Sequence, residues 1–199
     1  MGTRHLICIF LKGEYKVTQY GQWDGYPDGQ GKEVLEFLKN QDKVKRLKIN
    51  LSRVRFIDDK KDKTFLDSYS KNTPDWSNEL DNRTPEQKHW FETYITRDLG
   101  AKILNSIADS KDKEILLKDG IDFAEDSLFC EWAYVIDFDK DVLEVYKGFN
   151  RNKLDKTERF YGAKGKEGYE PIKFEKSYNL NDLPTVKQFF NDLKEEEED

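Results

Sequence analysis

Leu6-Ile-Cys-Ile-Phe-Leu11, followed by Lys12-Gly13 and by Glu14-Tyr-Lys-Val-Thr-Gln-Tyr20, opens the chain with a continuous apolar run, a turn and an alternating run. β-Branched residues, a glycine in a two-residue connection and a period of two read as a β-hairpin. The same signature returns later. Phe129 to Phe138 alternates, with Trp132, Tyr134, Ile136 and Phe138 on one face, and Asp139-Lys-Asp141 turns it into Val142 to Tyr146. Ile172 and Phe174 add a short strand after a glycine- and lysine-rich loop near 162–168. Between the hairpins the period changes. Val34, Leu35 and Leu38, then Val44, Leu47, Leu51 and Val54, recur at helical spacing and predict two amphipathic helices ending near Phe56. From Glu86 a helical face of Trp90, Phe91 and Tyr94 is expected, after which Thr96 caps a helix striped with Leu99, Ile103, Leu104 and Ile107. Val186, Phe189, Phe190 and Leu193 predict a closing helix. Strands that bunch at two places, instead of alternating singly with helices, predict an α+β fold: an antiparallel or mixed sheet covered by helices. Residues 58–85, charged and holding Pro74, Trp76 and Pro85, read as a surface excursion whose aromatics dock on the core. No repeat or long linker divides the chain, so residues 1–194 form one expected domain and 195–199 an acidic tail.

The chain has 199 residues, of which 37% are charged and 36% hydrophobic, with thirteen Phe, ten Tyr and four Trp. The charge exceeds the usual ~25%, but this many large aromatics supplies the buried area that a disordered chain lacks. The net charge is −6, and the five acidic residues Glu195 to Asp199 account for most of it. No basic excess marks a phosphate-tracking surface, so no nucleic-acid partner is expected. Cys8 and Cys130 are too few for a disulfide framework and read as small buried hydrophobes, which places the chain in a reducing, cytosolic compartment. No apolar stretch approaches the ~18 residues of a membrane span, and Leu6 to Leu11 is too short for a signal peptide, so no membrane partner is expected.

Several chemistries lack their residues. His5 and His89 stand far apart and no cysteine pair has ligand spacing, so no metal or other cofactor is assigned. Gly31-Lys32 is followed by Glu33, and Tyr26 occupies the first glycine position of a phosphate loop. Asp137 to Asp141 lacks a calcium-loop pattern and reads as a hairpin turn. His5 and Cys8, three apart on one strand, point to opposite faces and cannot form a nucleophile–base pair. What stands out is Gln19 to Gln30. Gln19, Tyr20, Gln22, Trp23, Asp24, Tyr26 and Gln30 are set among glycines, a density of amide, aromatic and carboxylate groups beyond the needs of a turn. Glycines admit close backbone approach, Trp and Tyr offer stacking faces, and Asp24 could fix an amine, amide or hydroxyl. Arg4 is a candidate partner for Asp24 or for an anionic ligand, and Glu131 beside Trp132 a weaker candidate of the same kind. The alternative is structural: Trp23, Tyr26 and Pro27 plug the sheet end, Asp24 caps turns and Gln22 satisfies backbone groups.

Gly2-Thr-Arg-His-Leu6, Tyr15-Lys-Val17 and Gln19-Tyr-Gly-Gln-Trp-Asp-Gly-Tyr-Pro27 with Gly29-Gln-Gly31 resemble a family of largely uncharacterised phage, bacterial and fungal proteins. Thr96-Arg-Asp98 with Gly100-Ala101 and Ile103-Leu104, then Glu131-Trp-Ala-Tyr-Val-Ile-Asp137 with Leu143-Glu-Val-Tyr146, extend the resemblance over about three quarters of the chain. It implies a shape and a site position but no reaction. A weaker fold-level similarity is to the N-terminal-nucleophile hydrolases, which cleave amide bonds in an α/β/β/α layered fold and use an exposed first residue. Gly2 offers no nucleophile, and Thr3 would serve only after a further cut. The expected function is therefore small-molecule binding or sensing, in a hydrolase-like but catalytically altered domain. The alternatives are an amide hydrolase using Thr3 and Asp24, and a protein-interaction module or phage-derived inhibitor that presents Trp23 and Tyr26.

Overall fold

The structure is a computed structural model, which describes residues 2–63, 85, 89 and 91–194. β1 (His5–Leu11) and β2 (Glu14–Gly21) form the first hairpin. Its two connecting residues, Lys12 and Gly13, both take positive φ, 57° and 78°, as the tight turn that matches strand twist requires. A polar loop leads through a single π-type turn, Pro27–Gly31, into α1 (Lys32–Lys39) and α2 (Gln41–Asn50). The Asn40 side chain caps α2 by accepting from the Lys43 N–H.

The expected second helix is shorter than its apolar spacing suggests. It ends at Asn50, passes through a 3₁₀ turn, and becomes β3 (Val54–Phe56). Three residues pair in parallel with β4 (Ile115–Leu117), so a partner some sixty positions away, invisible to local periodicity, sets their conformation. The helix α3 (Lys102–Asp109) starts later than expected, after Gly100 at φ +51°, and no side chain caps it. Thr96 instead accepts from the Asp98 N–H within a turn. The stripe Ile103, Leu104 and Ile107 is fully buried. The expected docking of residues 64–84 and the position of Trp90 lie outside the described residues.

β5 (Trp132–Asp137), β6 (Val142–Lys147) and β7 (Lys173–Asn179) complete a sheet of order β2-β1-β5-β6-β7. The β1–β5 pair is parallel and the other pairs are antiparallel, so the sheet is mixed, as expected. α4 (Val186–Asp192) follows, opened by a reciprocal capping box between Thr185 and Gln188.

The inner strands β1 and β5 are buried on both faces, whereas the edge strand β7 is largely exposed. Ile7, Ile9, Trp132, Tyr134, Ile136 and Val145 pack against the helices on one side. Leu6, Cys8, Ala133, Val135 and Tyr146 face Ala124 of a short 3₁₀ turn (Ile121–Glu125) and Phe160 and Ile172 of irregular chain. The α-helices therefore cover one face, and a 3₁₀ turn with irregular chain covers the other. An Arg159 guanidinium pins that irregular cover by bonding Glu144 at 2.6 Å and Asp137 across the strands.

Candidate functional site

The stretch from Gln19 to Gln30 leaves the edge strand β2 and runs beside the connection before α3. Gln19 is buried and its amide donates to the Tyr20 and Thr96 carbonyls at 2.8 and 3.2 Å. The Gln22 N–H donates to the Arg97 carbonyl at 3.1 Å, the Trp23 indole to Asp98 Oδ1 at 2.7 Å, and Gln30 Oε1 accepts from the Ala101 N–H at 2.6 Å. Four groups of the polar stretch thus hold residues 96–101. The two motifs Gln19–Gly31 and Thr96–Ala101 are one contact surface, and much of their polar density satisfies backbone that a loop would otherwise leave unpaired.

The remaining candidates are placed separately. Asp24 takes φ +57° and its carbonyl accepts from Gln30 N–H at 2.8 Å, while its side chain is exposed. Arg4 does not reach it: the guanidinium lies 4.6 Å over the Phe129 ring, and the Arg4 N–H donates to Glu131 Oε1 at 3.3 Å. Thr3 is buried, and its carbonyl accepts from Gly25 N–H at 3.0 Å. The neighbouring His5 ring is buried too, and no side chain partners either nitrogen; the Thr3 backbone alone lies close enough to favour the charged form. Burial lowers the His5 pKa to about 4. On the opposite face, burial raises the Cys8 and Cys130 thiols far above their ordinary range, which removes thiolate nucleophilicity.

Tyr26, half exposed, lines a shallow groove of about 310 Å³ with Trp132, Phe190 and Leu193. Gln19 and Tyr20 line a different one. This second cleft, about 440 Å³, lies between β2, residues 95–97 and the 118–126 segment, with Lys166 at its rim. Its volume falls within the ~300–1,000 Å³ of small-molecule sites. Tyr20 and Phe123 meet edge to face at 4.8 Å and form an apolar wall with Ile95.

The floor of the cleft is built from short-range hydrogen bonds. Asp119 Oδ1 accepts from Thr18 Oγ1 at 2.8 Å and from Ile121 N–H at 3.0 Å, while Thr18 Oγ1 accepts from Gly120 N–H at 2.9 Å. Lys166 is engaged by Glu125 Oε2 at 3.9 Å and by the Asp122 carbonyl at 3.4 Å. Asp126 differs from these. Its carbonyl accepts from Phe129 and Cys130 N–H groups, yet its carboxylate Oδ1 is buried without a partner.

No protein family, curated protein or solved structure matches this chain. The site is therefore read from its own residues. Among the described residues no group of His, Cys, Asp or Glu is placed to hold a metal ion, and no helix is long and apolar enough to cross a membrane. Sequence reasoning reached Gln19 and Tyr20 of this cleft and missed Ile95, Lys118, Asp119, Phe123, Asp126 and Lys166. Nothing in their local sequence marks them, because they meet only through the sheet edge.

Proposed function

We propose that the domain binds a small molecule in the cleft beside β2. The observation that carries this reading is a concave site of about 440 Å³ with an aromatic wall, Tyr20 against Phe123. The pocket wall shifts from Gln22–Gly31 to Thr18–Tyr20 in this reading, while Gln22–Gly31 braces the connection before α3.

Native mass spectrometry of the purified protein, incubated with the low-mass fraction of a cell extract, tests it. A small adduct held by the wild type and lost in Tyr20→Ala supports the proposal. Absence of any adduct, or an adduct indifferent to Tyr20, overturns it.

Four exposed aromatics favour a second reading, a protein-contact surface. Trp23, Tyr26, Phe129 and Phe149 are 46%, 51%, 37% and 53% exposed. All four belong to segments flanking the sheet end that carries Gly21, His5, Trp132 and Lys147 in register. Such exposed apolar groups mark interfaces when they cluster. A protein-sized adduct lost in the Trp23→Ser, Tyr26→Ser double variant supports this reading.

A further inference from the structure

We infer that the domain pairs with a second copy of itself through the sheet end, Phe149 and Arg4 of each chain docking at the Tyr26–Trp132 groove and Asp28 of the other. This rests on the aromatic sheet end being a protein-contact surface and names its partner.

Phe149 takes φ +53°, an outlier for a bulky side chain, and yet its ring is exposed. A buried polar clamp holds the backbone in that conformation. The Phe149 N–H donates to the Ser127 carbonyl at 2.7 Å, the Asn150 N–H to Ser127 Oγ at 3.2 Å, and the Asn150 amide to the Pro171 carbonyl at 2.8 Å. Strain held in place by its surroundings collects at functional positions, and a ring fixed in advance loses little freedom on docking. Phe129 leaves the same turn, two residues past Ser127, and the Arg4 guanidinium lies 4.6 Å over its ring. That guanidinium has no ion pair among the described residues, so its N–H edge is open to a carboxylate.

The same sheet end carries a matching groove. Tyr26, Trp132, Phe190 and Leu193 line about 310 Å³, room for an aryl ring, with Asp28 and Lys194 beside them. Asp28 is exposed and has no ion pair among the described residues. The charges are complementary. Arg4 and Glu131 lie on the Phe129 side, and Asp28 and Lys194 at the groove, so docking sets Arg4 against Asp28 and Glu131 against Lys194. Of the other charged groups at this end, Asp98 is held by the Trp23 indole and Arg151 by the Tyr169 hydroxyl, Arg97 and Lys147 have contacts of their own, and Asp24 is exposed. With knob and groove at one end, two copies meet end to end, each knob in the other's groove, which closes as a two-fold dimer.

Sedimentation equilibrium of the purified chain, with no second protein present, tests this. The wild type is expected as a reversible dimer whose mass falls to that of one chain on dilution. Phe149→Asn should weaken the dimer by about tenfold or more, the scale on which buried aromatic anchors act. Its urea midpoint, read at a concentration where the chain is monomeric, should stay level or rise, because Asn tolerates positive φ. Arg4→Asp and Asp28→Arg should each weaken the dimer, and the two together should restore it, since the exchanged charges meet again across the interface. A wild type that stays monomeric at the highest concentration reached, a dimer indifferent to Phe149→Asn, a lowered urea midpoint in that variant, or a double charge variant no tighter than either single one would overturn the inference. A monomeric wild type that still holds a foreign protein through Trp23 and Tyr26 sinks the self-pairing and leaves the contact surface standing. A monomer with no such adduct sinks both.

Discussion

The imidazole of His5 lies buried where a side chain on the paired residue Gly21 would overlap it, so the two positions are matched in size. With no side-chain partner at either ring nitrogen, burial outweighs the opposing Thr3 backbone and lowers the pKa from 6.5 to about 4. The unfolded chain therefore takes up this proton at a higher pH than the folded one. Stability contributed by neutral His5 is complete above pH 6.5 and drains away as the pH falls toward 4, by about 3 kcal/mol in all. Urea midpoints measured from pH 7 to pH 4 should fall more steeply for the wild type than for His5→Phe; parallel curves would show that the imidazole does not carry the dependence. At this scale the sequence was informative about residue type and poor about role. Gln19, Trp23 and Gln30 stand out as polar groups among glycines, but whether an amide faces a ligand or a carbonyl depends on what lies opposite. Here that is the connection at 96–101.

Among the elements, the irregular cover over the second sheet face depends on one cation. Arg159 bonds Glu144 of β6 and Asp137 of β5, lies 4.9 Å over the Phe10 ring, and is almost wholly enclosed. Tyr146 donates to the same Glu144 oxygen at 2.8 Å. Removing the guanidinium leaves two carboxylates buried side by side, a loss of the kind that costs about 3–5 kcal/mol. Arg159→Met should lower stability by that amount in denaturant melts, and adding Asp137→Asn and Glu144→Gln should recover part of it. A loss below 1 kcal/mol, on the scale of a surface pair, would show that water reaches the cluster. Element type was legible where the apolar pattern was long. Both hairpins, α1 and α4 follow from periodicity, and Lys12-Gly13 announces its turn. Val54–Phe56 was not legible, since its spacing continues the stripe of α2 and only the pairing with Ile115–Leu117 makes it a strand.

Over the whole molecule, the described residues form two separate apolar clusters, one on each face of the inner strands, and Cys8 and Cys130 sit together in the one beneath the irregular cover. Their thiols can meet a reagent only when that cover opens or the domain unfolds. Neither cysteine should react with Ellman's reagent at neutral pH in native buffer, and both should react in urea, at a midpoint matching global unfolding. Reaction well below that midpoint would identify the 148–172 cover as a separately opening unit. The sequence by itself determined the two hairpins and the helices α1 and α4, the class of the fold, and the burial of the two cysteines. These follow from local patterns of apolar side chains: a period of 3.6 marks a helix with one buried face, and a continuous apolar run such as Leu6–Ile9 marks a strand buried on both. Only the tertiary structure decided the parallel joining of β1 to β5, the pairing of β3 with β4, and the meeting of Tyr20, Phe123, Asp126 and Lys118 at one sheet edge. The strand pairings join residues about sixty to one hundred and thirty positions apart, and Tyr20 stands about one hundred positions from the 118–126 segment. Their free energy comes from burial shared across the whole sheet, so no local stretch of sequence carries their signature.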